Sequence, residues 1–216
     1  MNFKALFKLT MKEEKHLENL QEIRSIMERS TRFLSLSGLS GIMAGASALV
    51  GSALAYFRIK QFYSLSSPDY DAVINLETDL LAIAGAVLIF ALGFAYFFTA
   101  RNAKKRGEVV WNKTAKKLLL NLFIPLFAGG MISLVLLRNG HIGYIAPITL
   151  VFYGLACINA SHQTVSDIFY LGLTNVILGL VALFFIGQGL FFWTLGFGVT
   201  HIIYGSLMYF KYDKKS

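Results

Sequence analysis

Along this chain, uncharged blocks the length of a membrane-crossing helix alternate with short charged segments. Apolar runs occupy about 36–57, 79–100, 118–137, 142–160, 168–187 and 189–210. A bilayer's hydrocarbon core needs about 20 apolar residues in helical form. The pattern therefore predicts six transmembrane helices. The last two runs are separated only by the Gly187–Gly189 turn and read as a tight hairpin, because one helix through both would overrun any bilayer. The runs lack the alternating ten-residue pattern of an outer-membrane barrel, so the expected fold is all-α, a polytopic membrane helical bundle. Pro125 and Pro147 fall inside runs three and four, where membrane helices tolerate kinks.

Composition agrees with this. Of the 216 residues, 56% are hydrophobic and only 15% charged. The mean hydropathy is +0.59, a balance a soluble domain of this size could not cover with polar surface. The segment ahead of the first run, residues 1–34, is rich in Lys and Glu and lacks the apolar core of a cleaved signal, so it is expected to be retained as a cytoplasmic or interfacial unit. Within it, Met11 to Arg32 reads as an amphipathic helix. Leu17, Leu20, Ile23, Ile26 and Met27 form its apolar stripe, and Glu28 precedes Arg32 by one turn. Residues 35–216 form the transmembrane domain.

Charge then sets orientation. With the N-terminus inside, 17 of the 20 Lys and Arg fall on inner segments, while the first outer loop collects Asp69, Asp71, Glu77 and Asp79. Both termini are expected to be cytoplasmic and the membrane to be the cell's inner membrane. The net charge of +8 thus flanks spans and meets anionic lipid, which argues against a nucleic-acid partner.

Small residues mark packing faces. Gly41 and Gly45, and Ala44, Ala48 and Ser52, recur every four residues on span one, where another backbone can approach closely. Gly41, Gly45, Ala48 and Ser52 are the expected helix-packing positions, and the same faces allow a homo-oligomer.

Chemistry-bearing residues are few. No span carries a charge near its middle; Asp79 and Asp167 stand at span ends, where helix-start acids suit the dipole. GxSxG, HExxH, P-loop and CxxC signatures are all missing, and the single Cys157 excludes an intramolecular disulfide. His141 and His162 flank span four about 32 Å apart and cannot share a metal or haem within one copy. His201 lies mid-span and needs a partner; Asn175 on span five is nearest in depth. Asn159, Thr174, Thr194 and Thr200 add further polarity to the later spans. If spans four to six face one another, Tyr153, Asn175, His201 and Tyr204 could line a shared polar cavity. The competing interpretation is plain interhelical hydrogen bonding. No cofactor and no metal is expected.

Two stretches carry a resemblance: IRSIMERSTRFLSLSGLSGIMAG at 23–45, and YLGLTNVILGL at 170–180 continuing to WTLGFGVTHIIYGSLMYFKYD at 193–213. They resemble a group of uncharacterised bacterial six-span membrane proteins of the Bacteroidetes type, in which a similar protein is often encoded beside a small winged-helix regulator. The resemblance implies a membrane component of a regulatory or stress-response unit, and it supplies no functional residue. The expected role is non-enzymatic, exercised through membrane lipids or a cytoplasmic protein partner. A small transporter or channel along spans four to six is the alternative, and a membrane-embedded enzyme comes third.

Overall fold

The computed structural model describes residues 36–107 and 109–214, and these are helical throughout apart from short turns. The helix expected over 11–32 lies outside the described residues. Five helices are α1 (Gly38–Tyr63), α2 (Tyr70–Arg106), α3 (Lys113–Arg138), α4 (Ile145–Ser161) and α5 (Asp167–Ala182). A terminal rod follows: α6 (Gly189–Trp193), a π-helical stretch (Thr194–Val199), α7 (Thr200–Met208) and a second π-helical stretch (Tyr209–Asp213). Five segments are long and apolar enough to cross a membrane: α1, α2, α3, α4 together with the 3-10 turn before it (Ile142–Ser161), and the rod together with the 3-10 turn before it (Ile186–Asp213).

The boundaries differ from the apolar runs in physically instructive ways. Asp69 starts α2 ten residues before its apolar run, because its carboxylate accepts the N–H of Ala72 at 2.8 Å. At the other end Gly107, with φ of 66°, stops the helix in the left-handed conformation glycine takes without strain. The fifth run is cut short. Helix α5 has 16 residues, about 24 Å, and ends at Ala182; a turn and a 3-10 segment (Ile186–Gln188) fill the rest.

Packing is sequential and open. Helix α1 packs against α2 on one side and the rod on the other; α4 packs against α3 and α5, and the rod also meets α4 and α5. Helices α2 and α3 therefore stand at the edges, and none of the apolar stretch of α2 is buried by the rest of the protein.

Glycine makes the central contacts possible. A Cβ on Gly41 would lie 3.0 Å from the Cα of Gly205, one on Gly45 2.7 Å from the carbonyl of Gly198, and one on Gly205 2.6 Å from the N of Ile42. Backbone thus meets backbone along the α1–rod seam. Ala48 and Ser52 continue the buried side of α1, the Ser52 hydroxyl donating to the Ala48 carbonyl at 2.8 Å. Gly154 on α4 and Gly172 on α5 meet in the same way, each where a Cβ would strike the other's carbonyl.

Candidate functional site

The polar residues of the later helices come together in two places, held largely by hydrogen bonds. The first is on the rod. In a π-helical turn each carbonyl faces the N–H five residues on, which widens the helix and loosens its carbonyls. Within Thr194–Val199 the Gly196 carbonyl accepts from the Thr200 hydroxyl and lies 3.0 Å from His201 Nδ1. A carbonyl can only accept, so Nδ1 carries the proton, and in the neutral ring Nε2 is then the bare acceptor. Tyr153 of α4 donates its hydroxyl to that atom at 2.6 Å. The rings of Tyr153 and Phe197 pack with centroids 4.9 Å apart, and Phe197 stacks on His201. His201 is thus saturated by Tyr153 and Gly196, and Asn175 is not its partner.

Asn175 is fully buried. Its amide nitrogen donates to the Leu171 carbonyl at 2.9 Å and approaches Thr200 Oγ1 at 3.5 Å. Among the described residues no donor reaches its Oδ1. A Cβ on Gly196 would stand 2.7 Å from that oxygen, so only glycine fits opposite it. Tyr204, the fourth expected residue, pairs through its hydroxyl with Thr174 at 3.2 Å, half-buried between the rod and α5. The four residues fall into one saturated pair, Tyr153 with His201, and two separate interhelical contacts.

The second cluster lies at the far end of the rod. A carboxylate in the last turn of a helix opposes the dipole of its own helix, so its stabilisation must come from elsewhere. Asp213 supplies this across the bundle. Its Oδ2 accepts the N–H of Gly38, at the start of α1, at 2.9 Å and the Ser37 hydroxyl at 2.8 Å. Its Oδ1 accepts from the buried Asn102 of α2 at 3.3 Å. Ser37 occupies the cap position of α1 without capping it, and Asp213 does so in its place. Beside it Lys211 and Tyr212 both bond Asp167 at the start of α5, at 3.0 and 2.6 Å. The π-helical turn assists. Lys214 N–H bonds the Tyr209 carbonyl at 3.0 Å, and the extra residue in that turn re-aims the side chains around it by about 100°. Tyr209 to Asp213 thereby join the rod to α1, α2 and α5.

Sequence reasoning missed this second cluster. Its signal was a lone acid among Lys211, Lys214 and Lys215 at a helix C-terminus, where a carboxylate has no local reason to be. Other polar residues tie neighbours together: Asn121 of α3 bonds Gln163 at 2.6 Å, Asn159 bonds the Asn121 carbonyl at 2.9 Å, and Arg58 of α1 pairs with Asp79 of α2. Among the described residues no group of His, Cys, Asp and Glu is placed to hold a metal ion. Comparison of the chain with family models, with curated proteins and with solved structures gives no match.

Proposed function

We propose that this chain is a six-span protein of the cell's inner membrane, with both termini in the cytoplasm, acting as a regulatory or stress-related membrane component through lipid and protein contacts and not through chemistry of its own. One observation carries this reading. Tyr153 of α4 closes on His201 of the rod and Thr174 of α5 on Tyr204 of the rod, while α2 and α3 present long apolar flanks that no other helix covers. The surface offered outward is helix surface. The inner-side excess of Lys and Arg supports the orientation. In the six-span count α5, at about 24 Å, crosses with the turn that follows it.

A small transporter or channel along α4, α5 and the rod is the second reading. It draws on the Asn175 oxygen, unpaired at mid-span beside a π-helical stretch, since such stretches often accompany functional sites. Two measurements separate the readings. The intact protein in liposomes is expected to move no ion or small solute; flux that His201→Leu abolishes would establish transport instead. Deleting residues 1–32 is expected to leave the bundle folded in detergent while removing in-cell cross-links to a cytoplasmic protein.

A further inference from the structure

Between α1 and α2 runs an apolar groove of about 530 Å³, walled by Met43, Ser47 and Val50 on one side and Val87, Phe90 and Phe94 on the other. Its floor is the contact of Gly51 with Val87, and beyond one end Arg58 and Asp79 pair across the two helices. Beyond the other end the aromatic row continues. Phe90 stacks on Phe94 at 6.5 Å between centroids, and Phe94 meets Phe98 at 6.4 Å. Arg101 and Lys105 follow Phe94 by seven and eleven residues, about two and three helical turns, so they lie on the same face of α2 as the groove. Both are exposed, and among the described residues neither forms a salt bridge.

We infer that the α1–α2 groove is a binding site for an anionic glycerophospholipid, with one acyl chain along Phe98, Phe94 and Phe90 into the groove and the phosphate held by Arg101 and Lys105. Charge and length select this occupant. The groove lining is apolar apart from Ser47, whose hydroxyl is turned back onto the Met43 carbonyl at 2.9 Å, and the cations beyond Phe98 call for a negative head group. From Arg101 to the level of Phe90 is about 16 Å, matching the roughly 15 Å depth of one leaflet of hydrocarbon. A second copy of this chain fits less well, since parallel α2 helices would bring Arg101 and Lys105 against their own like charges. The inference rests on the proposal that this protein acts through lipid contacts, and it names the lipid.

The test uses the full chain in nanodiscs containing phosphatidylglycerol and phosphatidylethanolamine, washed in detergent, with retained lipid measured by native mass spectrometry. The wild type is expected to enrich phosphatidylglycerol about 25-fold over its share in the nanodisc. Each basic residue near the surface favours anionic lipid about fivefold, so R101Q with K105Q should return the ratio to that of the nanodisc. Ser47→Phe, which fills the groove and leaves the charges, should lose retained lipid of either head group several-fold. If that variant does not fold, Val50→Trp at the groove's exposed rim blocks it instead. Equal retention of the two lipids by the wild type, or enrichment untouched by R101Q with K105Q, overturns the inference. So does a two-chain species that the groove variants dissociate without changing lipid retention. Solute flux in liposomes would end the proposed function while leaving this lipid site standing.

Discussion

At the scale of single residues, Asp213 and His201 show the same rule with different legibility. A polar group in or near hydrocarbon must be satisfied within the protein. For His201 the need for a partner was readable, because a histidine stands in the middle of an apolar run; its partner was not, because Tyr153 and Asn175 lie at comparable depth and the helix rotation that selects Tyr153 is set by packing. For Asp213 even the need was hidden among lysines. Hydrogen bonds to a charged acceptor contribute about 1.5–3 kcal/mol. Asp213→Ala is therefore expected to lower unfolding stability in detergent by about 1–3 kcal/mol, Asp213→Asn by less, and Lys214→Gln hardly at all. Equal melting curves for Asp213→Ala and the wild type would remove the capping role. For the other pair, a double-mutant cycle of Tyr153→Phe and His201→Leu should return a coupling of about 0.5–2 kcal/mol, as interhelical bonds in membranes do. Additive single effects would mean that the 2.6 Å contact contributes nothing.

At the scale of elements, the small-residue stripe on span one marked a packing face, but not which helix would occupy it. The rod does so, through Gly198 and Gly205, and that assignment needs the three-dimensional arrangement because the partners are some 160 residues apart in sequence. Helix existence was legible from apolar runs, while ends were not. Asp69 and Gly107 extend α2 into charged sequence, and α5 stops early where the chain turns into Ile186–Gln188. Seam glycines and edge glycines should respond oppositely to the same change. Alanine is the better helix former by about 1 kcal/mol. At Gly85, where an added Cβ would meet nothing within 4 Å, Gly85→Ala should therefore stabilise slightly. At Gly205 an added Cβ would press on the backbone of Ile42 and Gly38, so Gly205→Ala should cost about 1–3 kcal/mol, as overpacked cores do. The check is the pair of melting temperatures in one detergent; shifts of the same sign at both positions would refute the seam.

At the scale of the whole molecule, α2 is the best ruler. Its 37 residues extend about 55 Å, well beyond a hydrocarbon core of about 30 Å, so the turns at its two ends cannot share an aqueous compartment if its apolar middle crosses the bilayer. The turn before it carries Asp69 and opens onto acidic residues, whereas the turn after it follows Arg101, Lys104 and Lys105. The charge bias therefore predicts which turn faces which compartment, while the helix itself only requires that they differ. In a Cys157→Ala background, which removes the buried native thiol, a cysteine at Ser66 should react with a membrane-impermeant maleimide in intact cells. One at Val109 should react only after the membrane is opened. The reverse pattern would keep the bundle and invert its orientation. Reaction of both in intact cells would mean that α2 does not cross, and the apolar flank that carries both the proposed role and the lipid groove would have to be covered by something other than a bilayer.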